Sequence, residues 1–390
     1  MSTIVESTIA TPPAESAVTE TVPVTESVPV EGTNGTYRLK FVEVVDTRET
    51  LGTRTVKIAT QNENGPCPLL ALCNTLLLRG DIHISHDKAF VTYEELVTVL
   101  GDLLLRTAPD PQSPTADDSS RNLKIERNLR WNASFQDVVG VLPTLTQGLD
   151  VNVKHDHPSS FEFTPALSTF DIFSVQLHHG WCVDPQDEET HRVVVEKCGS
   201  YNLVAEMAIA GDVAGQEAAK FGSERAEALD KGDVEKAQEL EKKMEVAHAA
   251  AHDGMVAKAF LESTASQLTY HGLHQLSEVL PENSISVLFR NNHFSTLYRD
   301  HSGNLYTLVT DEGFHSEPDC VWETLGNLDG DSQFLTGRME RWTGPSDIPI
   351  IPEELGPEIP PEPVTEEEKI VMFDREWVQT LLSLSKTVSI

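Results

Sequence analysis

The chain has 390 residues, of which 39% are hydrophobic and 23% charged, and it carries a formal net charge of −33. That length can bury a sizeable core, while so acidic a chain repels nucleic acid and anionic membranes and favours a basic protein partner. No apolar run reaches the roughly 18 residues of a membrane span, and the first residues lack both the basic and the apolar regions of a secretory signal.

Residues 1–35 are a loose Thr, Val, Glu, Pro and Ser repeat without Lys or Arg, a composition that cannot pack a core and is expected to be disordered. TYRLKFVEVV and RTVKIATQ then read as strands. PLLALCNTLLLR reads as a helix with Leu69, Leu72, Cys73 and Leu76 on one face and Gly80 at its end. TYEELVTVLGDLLLRTA is a second helix, with Leu96, Leu100, Leu103 and Leu104 at helical spacing. PDPQSPTADDSS reads as a polar linker or exposed loop, and SFQDVVGVLPTL as a short helix ended or kinked by Pro143.

The middle mixes short strands, LDVNVKH and FEFT, with polar turns. From Tyr201 to about Leu280 the pattern is helical. Its Ala- and charge-rich centre, about 211–250, reads as a solvated insertion in which Glu239 can pair with Lys243. SISVLFR, HFSTLYRD and NLYTLVTD read as three strands, the last two joined by a DHSG turn. Residues 345–390 form an acidic, Pro-rich tail that ends in IVMFDREWVQTLLSL. Together these make one α+β domain, 36–344, between two flanking segments. It has no Gly-rich turn after a strand, and no P-loop, HExxH or GxSxG.

Five scattered cysteines without a CxxC pair argue against a disulfide framework or zinc ribbon and point to a reducing compartment, cytoplasm or nucleus. The histidines at 155, 157, 178 and 179 lack partners at zinc spacing, so no metal or cofactor is expected. Cys73, Cys182, Cys198 and Cys320 read as structural. Cys67 is different. Pro68 belongs at the first helical position and pushes the residue before it out of helical geometry, which makes Cys67 the cap. There the free N–H groups and the positive end of the helix dipole favour thiolate. Gln61, across a Gly-Pro turn, is an amide able to donate to a developing oxyanion, with the Cys67 N–H as second donor. His293 in a late β-rich stretch completes the layout of a papain-like cysteine peptidase, with a helix bearing the nucleophile and a sheet bearing the histidine. By residue type Asp311 is a candidate third member.

QNENGPCPLLALCN, GLDVNV, HGWCVDPQ, TASQLTYHGL, FRNNHFSTL and LVTDEGF followed by VWETLGNLDGDSQF, in that order from about Arg38 to Phe334, resemble the MINDY family of deubiquitinases. The resemblance implies Cys67 as nucleophile, His293 as general base, Gln61 as oxyanion donor and Thr310 near the catalytic centre. The third member stays open between Thr310 and Asp311. It also implies ubiquitin contacts at Val151, Trp181, Tyr201 and Phe289, and lysine-48-linked polyubiquitin trimmed from the distal end. Polyubiquitin and ubiquitinated proteins are the expected partners of a monomer. The alternative is an inactive or autoinhibited polyubiquitin-binding module. In the tail, Glu366, Glu367 and Glu368 precede the apolar stretch. That polarity is opposite to the ubiquitin-binding helix of some family members, so no such helix is expected there.

Overall fold

A computed structural model of the chain describes residues 35–46, 52–61, 67–109, 118–142, 145, 149–328 and 331–344. The expectations for the N-terminal repeat, Pro143 and the C-terminal tail fall outside the described residues. None of the described helices is long and apolar enough to cross a membrane.

The expected first strands are β1 (Thr36–Val45) and β2 (Thr53–Ala59), paired antiparallel with Leu39 opposite Ala59. A short β3 (Phe90–Thr92) joins the other edge of β1, giving the order β2-β1-β3. Helix α1 (Cys67–Arg79) follows β2 and stops at Gly80, whose φ of 82° suits glycine. Its burial departs from the expected single face, because Leu69 to Leu72, Cys73 and Leu76 to Leu78 are all buried. The cause is position: α1 packs on β2 on one side and on the strands Ser284–Arg290 and His293–Arg299 of a second sheet on the other. A helix apolar all round suits such a place.

Helix α2 (Tyr93–Thr107) starts at a capping box, where the Thr92 hydroxyl accepts from Glu95 N–H and the Glu95 carboxylate accepts from Thr92 N–H. It buries Leu96, Leu100, Leu103 and Leu104 as their spacing predicts. Helix α3 (Asp118–Val141) is much longer than expected and takes in the end of the segment read as linker. Its charged first half leaves Ile125 and Leu129 exposed, so it has no amphipathic stripe to betray it. Then come α4 (Pro165–Ile172), β4 (Leu177–His178) and α5 (Glu188–Thr190), which runs into a π-helix over His191–Cys198. The strands expected at LDVNVKH and FEFT reduce to one bridge, Val153 with Phe161.

Helices α6 (Tyr201–Asp230) and α7 (Val234–Ser263) form an antiparallel hairpin wider than the expected insertion. They cross at Gly211 and Gly254, so close that a Cβ on Gly211 would lie 2.5 Å from the Gly254 Cα. Glu239 and Lys243 form the expected ion pair at 2.6 Å. Helix α8 (Tyr270–Val279) precedes β5 (Ser284–Arg290), β6 (His293–Arg299), β7 (Leu305–Leu308), β8 (Trp322–Thr324) and β9 (Phe334–Leu335). With β4 parallel to β5 and the other pairs antiparallel, the second sheet runs β4-β5-β6-β7-β8-β9. The two sheets are tied by the buried Lys40 on β1, whose Nζ donates to the Cys320 carbonyl at 2.6 Å.

Candidate active site

Cys67, expected as the cap with Pro68 opening the helix, is itself the first residue of α1, one position earlier than the proline rule places the start; N–H groups of this first turn lack intrahelical partners. Two adjacent side chains deep in this helix, Asn74 and Thr75, are polar and fully buried. Asn74 binds both backbone groups of Ala59: its Oδ1 accepts from Ala59 N–H at 2.8 Å and its Nδ2 donates to Ala59 O at 2.9 Å. Thr75 Oγ1 donates to Ser286 O at 3.3 Å, and Thr296 Oγ1 donates to Ala71 O at 3.2 Å, fixing α1 to β5 and β6. The sequence reading missed these clamps. Their signal was there: two polar residues inside LLALCNTLLL must be paired if the helix is buried.

Gln61 lies just beyond β2. Its N–H donates to Thr310 O at 2.6 Å, and its carbonyl accepts from Glu312 N–H at 3.0 Å, a parallel bridge to Asp311. Thr310 and Asp311 line a cleft of about 540 Å³ together with His293, Arg290, Glu323 and Phe314. The Asp311 carboxylate accepts from Gly313 N–H at 2.7 Å and so caps the short turn at 312–314. No hydrogen bond joins the His293 ring to Thr310 or Asp311 among the described residues.

His293 opens β6 opposite Arg290. The two residues between them, Asn291 and Asn292, have φ of 52° and 57°, a two-residue hairpin turn that asparagine tolerates. The turn is braced from behind, since Arg290 Nε donates to Ser266 O and Asn291 N–H to Gln267 Oε1, both at 2.9 Å. The imidazole reaches solvent, yet surrounding protein removes enough water to hold its pKa below the ordinary value. The shift favours the neutral ring, the form able to accept a proton.

The four residues proposed from the resemblance as ubiquitin contacts divide. Tyr201 is 37% exposed and Val151 half-buried. Trp181 and Phe289, which a direct ubiquitin contact would place at the surface, are core residues at 4% and 8% exposure. Phe289 packs on its cross-strand partner Phe294 at 5.0 Å. The Trp181 ring stacks on Phe260, touches Tyr201 at 5.4 Å, and donates from Nε1 to Thr264 Oγ1 at 2.7 Å. The HGW and YHGL glycines allow this packing: a Cβ on Gly272 would fall 1.9 Å from the Gly180 carbonyl oxygen.

Two buried histidines bracket the Trp181 backbone. His179 Nδ1 accepts its N–H at 3.1 Å, and His155 Nδ1 donates to its carbonyl at 2.9 Å. With His178 they form a buried trio. Burial lowers the pKa to about 4 for His155 and His178 and to about 3 for His179. Below pH 6.5 the unfolded chain takes up protons that the folded chain refuses. Stability is therefore full above neutral pH and falls on the order of 1 kcal/mol per pH unit per histidine as pH drops toward 4. The unfolding midpoint should be flat from pH 8 to 7 and fall steeply below 6.5. A midpoint unchanged between pH 7 and 5 would mean that the folded rings accept protons freely.

Cys73, Cys182, Cys198 and Cys320 are buried and free. Among the described residues no group of three or more His, Cys, Asp or Glu is placed to hold a metal ion.

A family model described as MINDY deubiquitinase matches residues 35–339. The chain is 39% identical over 277 residues to ubiquitin carboxyl-terminal hydrolase MINDY-1 of Homo sapiens, covering 71% of this chain and 50% of that protein. It is 40% identical to MINDY-1 of Mus musculus with the same coverage. It is 38% identical to MINDY-2 of Homo sapiens, over 71% of this chain and 37% of that protein. The chain thus spans about half or less of the length of the curated relatives it matches.

Proposed function

Because the chain belongs to the MINDY deubiquitinase family, we propose that it is a papain-like cysteine deubiquitinase hydrolysing isopeptide bonds in polyubiquitin. The Cys67 sulfur attacks the isopeptide carbonyl and His293 takes the thiol proton. The tetrahedral oxyanion is held by the Gln61 amide and the Cys67 N–H. His293 then protonates the departing lysine amine, leaving a thioester that water hydrolyses with His293 as base. Thr310 borders the reacting centre, with Asp311 the other candidate for the third position.

Three contacts together support this reading: the Gln61 backbone is hydrogen-bonded to Thr310, Thr310 shares a cleft with His293, and α1 packs on the strand that bears His293. The preferred substrate is lysine-48-linked polyubiquitin trimmed from its distal end. Val151 and Tyr201 supply surface contacts, with Trp181 packed against Tyr201 from below and Phe289 in the core of the sheet that carries His293. The catalytic unit is 36–344 with its helical hairpin, acting as a monomer in the cytoplasm or nucleus, between the N-terminal 1–35 and C-terminal 345–390 segments. It needs no cofactor.

The test is incubation with a ubiquitin probe bearing a C-terminal thiol-reactive group. A covalent adduct at Cys67 is expected, whereas non-covalent retention alone would select a polyubiquitin-binding module. Gln61→Ala should lower kcat by roughly 10²–10³-fold with little change in KM, the signature of a donor used in the transition state. A pure KM effect would reassign Gln61 to substrate binding.

A further inference from the structure

Strand β2 lies at the edge of its sheet, and Ala59 is its last residue. Across from it, Leu39 sends its N–H to Ala89 O rather than to Ala59, so the polar groups of Ala59 face the open side of β2. Asn74 occupies that side and, as one amide, takes the place of a missing strand. The next two residues are tied elsewhere. Thr60 N–H donates to Arg38 O at 2.9 Å, and Gln61 N–H to Thr310 O. Of these three consecutive ties, only the one at Ala59 runs to the helix that begins at Cys67.

The lever arms are short. Asn74 lies two helical turns, about 10.5 Å, beyond Cys67. Ala59 lies two extended residues, about 6.6 Å, before Gln61. Thr75, beside Asn74, binds the opposite sheet, toward the strand that carries His293. Neighbouring residues of one helix thus register it separately against the segment leading to Gln61 and against the strand of His293.

We propose that Asn74 is a positioning residue for the reaction, which sets the placement of Gln61 relative to Cys67 and acts on the chemical step through Gln61. This rests on the roles assigned to Cys67 and Gln61 above. An amide kept only to satisfy buried backbone would affect stability, and its effect on rate would not depend on whether Gln61 is present.

A double-mutant cycle on the full chain separates the two, with tetra-ubiquitin as substrate and the unfolding midpoint of every variant measured alongside. Asn74→Ala is expected to lower kcat about tenfold with KM nearly unchanged, and to lower it less than about twofold further in the Gln61→Ala background. Thr75→Val, which loosens the other sheet, should lower kcat by the same factor in both backgrounds. Asn74→Ser carries the cycle if the alanine variant does not fold. Equal losses from the Asn74 substitution in both backgrounds, or an unchanged kcat in the folded variant, would overturn the inference. Full activity of Gln61→Ala alone would instead remove the oxyanion assignment, and the inference with it.

Discussion

Cys67→Ala is expected to reduce turnover of tetra-ubiquitin to background, a loss on the order of 10⁶-fold in kcat, while chain binding persists. No other thiol can substitute. Burial drives the Cys73 pKa up, and pushes Cys182 to about 12 and Cys320 to about 11, so none of these supplies thiolate at pH 7. Cys198 is raised by burial as well. The fold should tolerate the change. What holds α1 between the sheets lies further along it, in Leu69 to Leu78 and the Asn74 and Thr75 clamps. Cys67 is only the first residue of the helix, where alanine is a good helix former. Wild-type turnover by Cys67→Ala would sink the mechanism, and a large fall in its midpoint would show that Cys67 is structural.

Trp181→Ala should cost roughly 3–5 kcal/mol of folding stability, a large share of the 5–15 kcal/mol typical of a domain. The substitution empties a site walled by Phe260, His155 and Tyr201 and strips Thr264 of the indole donor. The decisive measurements are the unfolding midpoint and the KM for lysine-48-linked chains at a temperature where the variant stays folded. A collapsed midpoint is the expected outcome. A normal midpoint with weakened binding would return Trp181 to the protein surface.

Trp181 also shows where the sequence misleads. HHGWCVDPQ suggests a loop end because glycine and the DPQ turn flank the tryptophan. The residues that bury it lie outside that stretch on both sides, from His155 to Phe260, and Thr264, which takes the indole proton, lies 83 positions on. No local window contains that contact. The local backbone around the candidate site follows shorter-range rules. Proline after cysteine places the helix start to within one residue, since α1 opens at Cys67 rather than Pro68, and the paired asparagines before His293, not read as a turn above, form a tight hairpin by an equally local rule. Helix α2 was legible for the same reason, with a capping box at its start and leucines on one face. Helix α3 was not, since its first half is polar and charged and offers no apolar periodicity. Asn74 inside an apolar helix signalled that it must be paired, but not with what, because its partner Ala59 belongs to another element.

The assembly of the cleft has a consequence for the order in which this chain gains its properties. Gln61 meets Thr310, and Lys40 meets Cys320 across 280 positions, whereas α6 and α7 find each other through a three-residue turn. Closing long loops costs entropy before distant contacts reward it, so near neighbours pair early and remote ones late. Helicity from the hairpin should therefore recover first on dilution from denaturant. Recovered catalysis reports that the two ends of the domain have closed on each other, which makes turnover a stricter gauge of the native state than circular dichroism.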